Sequence, residues 1–376
     1  MNKVLILPDS YKGTLSAVEV ARVIGECTRR RFPSAEVIEI PVADGGEGSV
    51  ACFLQALGGE RITCRTRDPL GGEILADWGL LDGGRCAVIE MAAAAGLPLL
   101  EGRRDPLNAS TYGVGLLLCD ALSRGVREVI LGLGGSSTTD FGCGAAAALG
   151  VRFYDAGGRE LIPTGGTLCK VARVDTSGAL PALRDVKLTL MCDVKNPLCG
   201  KNGAAYVFSP QKGASDGEVA LLDGGLAHIA TVVRQELGVD VADLAGGGAA
   251  GGMAAGMVAF FGGTICSGID TVLSAVGFDG LLAGADLVFT GEGKLDGQSA
   301  GGKVISGICA RAAAVGVPVV AVCGGIEGDI TPLYERGLTA AFAINRLPED
   351  FSISRHKSAE NLRATVEDIL RLLSVK

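Results

Sequence analysis

The sequence predicts an α/β protein of two domains, one a discontinuous, doubly wound parallel sheet and the other an inserted α+β mixed sheet. Three observations predict it. Apolar runs that end in glycine loops and continue into helical periodicity occur at the N-terminus, near residue 130 and after residue 283. Between them lie short strands separated by the hairpin turns Pro69-Leu70-Gly71-Gly72, Asp82-Gly83-Gly84 and Asp155-Ala156-Gly157-Gly158. At 376 residues the chain also exceeds the length over which one core keeps growing, roughly 250–300 residues. The βαβ material assigns residues 1–60, 107–150 and 280–376 to a Rossmann- or flavodoxin-like domain and leaves 61–106 and 151–279 to the insertion.

Taken in order, residues 3–7 form a buried strand that runs into Pro8-Asp9-Ser10-Tyr11-Lys12-Gly13. A helix follows, opened by a capping box of Ser16 and Glu19 and closed by Arg29-Arg30-Arg31, whose charges complement its dipole. Residues 36–42 are the second strand and 49–57 a helix. Strands at 62–66, 74–80 and 87–91 make up the hairpin region, and a helix from about residue 110 to 123 leads to a strand at 129–131. A glycine and hydroxyl loop to Asp140 comes next, then a small-residue helix at 144–149. Residues 188–192 form a strand that ends in Asp193-Val194-Lys195-Asn196-Pro197, and Ser215 with Glu218 caps a further helix. The βα rhythm then resumes with strands at 286–290, 317–323 and 340–344, helices at 303–315 and 358–373, and a loop from Gly291 to Asp296.

Composition narrows the function. Fifty-eight glycines, 48% hydrophobic and 5% aromatic residues describe a small-residue-packed soluble fold. A net charge of −8 weighs against a nucleic-acid partner but allows a local cationic pocket for a small anion. The twelve cysteines are scattered in apolar contexts without a CxxC, which suits free thiols in a reducing cytoplasm. Residues 244–266 carry no charge and hold Gly252 and Gly256 in GxxxG spacing, yet they are Gly/Ala-rich, which predicts a buried helix and no membrane span.

Of the motifs, the loop Gly134-Gly135-Ser136-Ser137-Thr138 carries most. Glycines let a backbone approach an anion and a helix N-terminus offers free amides, so phosphate is the favoured ligand; an ordinary βα turn is the alternative. Asp44 and Glu47, in a triple-glycine loop, suit Mg²⁺ or a substrate hydroxyl, or else a plain Asp-Gly turn. Residues 297–303 satisfy GxxxxGK, but Val304 stands where a P-loop needs Ser or Thr, so the match reads as coincidence. Lys303 keeps interest as a cation at a helix start, a place the dipole disfavours unless an anion compensates. Ser137 occupies the third glycine position of GxGxxG, and both histidines lie far from any glycine loop, which argues against dinucleotide, zinc and Ser-His-Asp chemistry. What recurs is Asp and Lys beside small loops: Asp9 with Lys12, Asp44 with Glu47, Asp140, Asp193 with Lys195 and Asn196, Lys212, Glu292 with Asp296, and Lys303. Phosphoryl transfer uses that set.

Six of these stretches, in order, also carry a resemblance: Pro8 to Lys12, Val42 to Gly48, Leu133 to Asp140, Cys192 to Leu198, Gly291 to Asp296, and Gly302-Lys303-Val304. Together they resemble the bacterial glycerate kinase family, of the type with flavodoxin-like and restriction-endonuclease-like domains, across essentially the whole chain. The resemblance implies ATP- and Mg²⁺-dependent phosphorylation of glycerate in the cytoplasm, at the 2-hydroxyl of D-glycerate, in a glyoxylate or sugar-acid route. ATP phosphates are then expected at Gly134, Gly135, Ser136, Ser137 and Thr138, and at Gly291, Glu292 and Gly293 with Lys303. Glycerate is expected against Asp9, Ser10, Lys12 and Lys212, its carboxylate on the lysines. Asp193 is expected to take the acceptor's proton, with Asn196 orienting it and Lys12 also catalytic, while Asp44 and Asp296 hold Mg²⁺ in a two-domain cleft. Neither nucleic acid nor membrane is an expected partner, and a homo-oligomer is left open. A kinase of another hydroxy acid and a non-catalytic sugar-acid or nucleotide sensor remain the alternatives.

Overall fold

A computed structural model describes residues 1–42, 45–46, 48–296 and 304–375, so three predicted candidates, Asp44, Glu47 and Lys303, lie outside the described residues. The chain forms two compact units. The first comprises Met1–Asp44, Ala51–Gly58 and Ser267–Lys376, the second Gly45–Val50 and Gly59–Cys266.

In the first unit five parallel strands lie in the order Leu338–Ala343, Val319–Cys323, Leu287–Gly291, Lys3–Pro8, Glu36–Glu39. Counted along the unit's own chain and read from the Glu36–Glu39 edge this is 2-1-3-4-5, the order of flavodoxin-like sheets. The central strands are continuous apolar runs because helices cover both faces, and Val4 to Leu7 and Val319 to Cys323 are all buried. Helices Ala17–Arg31 and Ser358–Leu372 lay Val20, Ile24, Leu362 and Val366 into one cluster with Val4, Ile6, Phe289 and Val322. The capping box forms as spelled: Ser16 Oγ accepts from the Glu19 amide at 3.2 Å, and the Glu19 carboxylate accepts from the Ser16 amide at 2.8 Å. Arg29 and Arg30 spend their charges on Glu39 at 2.6 Å and Glu367 at 3.1 Å.

The second unit contains a six-stranded mixed sheet in the order Thr264–Cys266, Lys187–Met191, Glu128–Gly132, Cys86–Glu90, Glu73–Leu81, Glu60–Arg67. The first four strands are parallel to one another, and the last two are joined to the sheet by antiparallel pairings, so that Glu73–Leu81 alone runs against the others. Here the structure corrects the sequence-based division, which placed residues 107–150 with the chain ends. Val129 pairs with Ala87 on one side and Leu188 on the other, which puts this strand inside the mixed sheet. An apolar run followed by a glycine loop suits either sheet, and only the flanking strands decide between them. The insertion also closes earlier than predicted, at Cys266. Helix Gly268–Ala275 packs on Val304–Ala313, with Asp270 ion-paired to Arg311 at 3.0 Å.

The uncharged stretch becomes turns followed by the buried helix Met253–Phe261, as predicted. A Cβ on Gly256 would meet Phe141 O at 1.9 Å, so the GxxxG spacing serves close backbone contact within the unit. Among the described residues no helix is long and apolar enough to cross a membrane. Helix Asp216–Leu237, capped by Ser215 and Glu218, carries an exposed interior glycine, Gly224, with open space where a Cβ would stand. Gly224→Ala is expected to stabilise the protein by about 0.5–1 kcal/mol, read as a raised denaturation midpoint. A lowered midpoint would refute it.

Candidate active site

In the first unit the strand order reverses between Lys3–Pro8 and Leu287–Gly291, and ligands of open α/β sheets bind beyond the carboxyl ends of strands at such a point. Pro8 is in register with Gly291. Consequently the two following loops lie side by side: the Asp9 amide donates to Gly291 O at 2.8 Å, and a Cβ on Gly293 would meet Lys12 N at 3.2 Å. Asp9 and Ser10 are half-buried, Lys12 is exposed, Glu292 is buried and Asp296 is half-buried; the loop expected to hold substrate, Asp9 to Lys12, thus lies beside the loop expected to hold phosphate, Gly291 to Gly293. Asp9 Oδ1 accepts from the Ser10 amide at 2.6 Å, which turns the chain.

Sequence reasoning assigns Tyr11 no role, yet it locks this floor. Its hydroxyl donates to Val322 O at 2.5 Å, and burial pushes its pKa well up, so it stays a neutral donor. Gly291 is glycine because a Cβ would lie 1.9 Å from that same Val322 carbonyl. Burial likewise pushes the neighbouring Cys323 thiol up to about 12, which makes it inert packing.

In the second unit, the loops 133–140 and 192–197 follow adjacent parallel strands. Gly132 and Gly134 are glycine for a reason other than the one expected. A Cβ on either would collide with the backbone of Gly45 or Gly46 at 2.5 Å, while Gly135, at φ +73, is exposed. The amides of Gly134 and Ser137 donate to Gly45 O and Ala95 O at 3.0 and 2.9 Å; those of Gly135 and Ser136 donate to no acceptor among the described residues. Thr138 Oγ1 is fully buried and also lacks a hydrogen-bond partner among the described residues.

The expected helix N-terminus is not available to a ligand. Asp140 already accepts from the Gly142 and Gly144 amides, at 3.1 and 3.3 Å, and from the amide and hydroxyl of Thr111 at 2.7 and 2.8 Å. Burial raises its pKa while these donors oppose the shift. Asp140 thus anchors the far end of the loop, a role invisible in sequence because its donors come from two segments.

Lys212, predicted to bind substrate, is only 2% exposed, and its ammonium donates to Ser136 Oγ at 3.0 Å and Thr138 O at 2.6 Å. Desolvation lowers its pKa to about 7, with Asp140 opposing. Thr139 and Ser209 share a buried hydroxyl contact at 3.2 Å that supports the same turn. Asp193 is exposed on the second loop; the Asn196 amide donates to Asn202 O at 2.8 Å and shapes that loop's far end.

Acidic and basic side chains on glycine-rich loops, at the carboxyl ends of parallel strands, define the class as an α/β phosphotransferase. Comparison with known proteins agrees. The model of the glycerate kinase family matches residues 4–374. A glycerate kinase of Halalkalibacterium halodurans is 44% identical over 92% of this chain and 91% of its own length. The glycerate 2-kinase of Escherichia coli K12 is 43% identical over 91% and 90%. A crystal structure from Salmonella typhimurium LT2, provisionally named glycerate kinase 2, superposes with a TM-score of 0.90 at 40% identity, covering 99% of this chain and 98% of that one. The chain belongs to the glycerate kinase family. It is a kinase that phosphorylates a hydroxyl group.

Proposed function

We propose that this kinase transfers the γ-phosphoryl group of ATP to the 2-hydroxyl of D-glycerate in the cytoplasm, in a glyoxylate or sugar-acid route. The observation that carries the reading is the convergence of the Asp9 to Lys12 and Gly291 to Gly293 loops at the point where strand order reverses. An exposed ammonium, Lys12, stands there for a small carboxylate, with Asp9 and Ser10 for its hydroxyls.

ATP phosphates are assigned to Gly134–Thr138 and to Gly291, Glu292 and Gly293, with Lys303 as a further cation. The Gly135 and Ser136 amides and the buried Thr138 hydroxyl, which have no partner among the described residues, support the first assignment, since a buried unbonded hydroxyl costs about 1–3 kcal/mol unless something bonds to it. Asp193 would accept the acceptor's proton and Asn196 would hold the loop that carries it. Lys212 adds positive charge from beneath Ser136 and Thr138.

The described residues contain no group of three or more His, Cys, Asp or Glu suited to a metal. Mg²⁺ needs none, because it keeps several waters and takes one or two carboxylates plus phosphate oxygens. Asp296 fits that requirement, with Asp44 as the second candidate. The bound ion would neutralise charge on the transferring phosphoryl group.

The test is ADP release with Mg-ATP and D-glycerate, against L-glycerate and no acceptor, with the product resolved by NMR. Rapid release with a 2-phospho product is expected. A 3-phospho product would overturn the regiochemistry, and tight glycerate binding without ADP release would make the protein a sensor.

A further inference from the structure

We propose that Lys212 is a positioning residue that couples phosphate binding to proton uptake, its amine bracing the hydroxyl loop from beneath and becoming charged when an anion occupies that loop. The inference rests on the proposed ATP-phosphate role of residues 134–138, and it adds something that role does not require.

The argument starts from burial. A lysine is almost never fully buried without a partner, yet Lys212 is 2% exposed at the end of the short turn Pro210–Lys212. Its Nζ reaches back across 76 residues to Ser136 Oγ and 74 to Thr138 O. Both acceptors are neutral, so the amine keeps these bonds whether it carries two hydrogens or three.

One charged group acts on it: Asp140, four residues on from Ser136, favours the ammonium but already accepts four hydrogen bonds. On the same turn Arg104 donates its guanidinium N–H to Gln211 O at 3.0 Å. Burial outweighs Asp140 and lowers the Lys212 pKa to about 7, so a nearby anion can decide its charge close to neutral pH.

A polyphosphate on the opposite face of this loop tips that balance. An anion held by the Gly135 and Ser136 amides and the Thr138 hydroxyl would lie close to Nζ, in a surrounding where charge is weakly screened. The neutral amine then takes one proton from solvent, –NH₂ becoming –NH₃⁺, and no other bond changes. Linkage makes the effect reciprocal, so phosphate binding weakens as pH rises and the amine becomes harder to protonate.

The experiment is calorimetric titration of the intact protein with Mg-ADP at about pH 8, roughly one unit above the Lys212 value, in buffers of different ionisation enthalpy. The expected result is net proton uptake on ADP binding, rising toward about 0.9 proton per ADP as the bound amine becomes fully charged. Lys212→Arg, which stays charged, should bind ADP without proton uptake. Lys212→Met, apolar and similar in length, should bind more weakly and also without uptake. ADP binding with no buffer dependence overturns the inference and leaves the nucleotide site standing. Uptake undiminished in both folded variants assigns the proton elsewhere and overturns it too. Absence of any ADP binding by the wild-type protein removes the nucleotide reading, and the inference with it.

Discussion

Asp193→Asn is expected to lower kcat by about 10²–10⁴, the range typical of a lost general base, while Mg-ADP binds as before. Asparagine keeps the shape and the exposed position on the loop after Lys187–Met191, so the loop should survive the change. What it loses is the ability to accept a proton from a hydroxyl that is being phosphorylated. Steady-state kinetics with Mg-ATP and D-glycerate, paired with ADP calorimetry, separate the two effects. Unchanged turnover would strip Asp193 of the role. Equal loss of turnover and ADP affinity would instead mean that the loop had moved.

Gly251→Ala should cost about 2–4 kcal/mol and take nucleotide binding down with it. Gly251 sits at φ +66, and an added Cβ would lie 2.0 Å from Thr138 O and 2.6 Å from Thr139 Cα. Those are backbone atoms of the hydroxyl loop, so no rotamer change relieves the clash. Thr138 O is also the acceptor for Lys212 at 2.6 Å, so the displacement should disturb the brace as well as the fold. Thermal unfolding reads the first effect and ADP titration the second. A variant with wild-type melting would mean that the loop yields at little cost, which would count against a preorganised phosphate cradle.

Local features are legible in the sequence. The pairs Ser16 with Glu19 and Ser215 with Glu218 announce helix starts because both partners of a capping box lie within four residues. The Asp9 to Lys12 and Gly291 to Asp296 loops are also legible as a set, since each directly follows an apolar run. Strand neighbours are not. The run Val129 to Leu131 would suit a parallel sheet in either unit, and the partners that claim it are set by strands up to about sixty residues away, Ala87 and Leu188 among them. Burial is equally hidden at Lys212, because a lysine in Pro210-Gln211-Lys212-Gly213 reads as a solvated turn residue. Its meaning changes once Ser136 and Thr138 are found around its ammonium. The glycines at 132 and 134 teach a related lesson: their place in a phosphate-suited loop is plain in the sequence, but the structural demand for them comes from Gly45 and Gly46.

The interleaved chain path has a consequence for synthesis. Strand Lys3–Pro8 is made early, but its neighbour on one side is Leu287–Gly291, so Leu7 waits 283 residues for Thr290. At about 5–20 residues per second that delay is roughly 15–60 s on the ribosome. Within it the whole of the second unit, whose last strand ends at Cys266, emerges and can fold. The nascent chain therefore carries a finished mixed sheet while the apolar strand Lys3–Pro8, paired with Glu36–Glu39 on one side, still lacks its partner on the other, which makes that strand the segment for which a chaperone has most reason to bind.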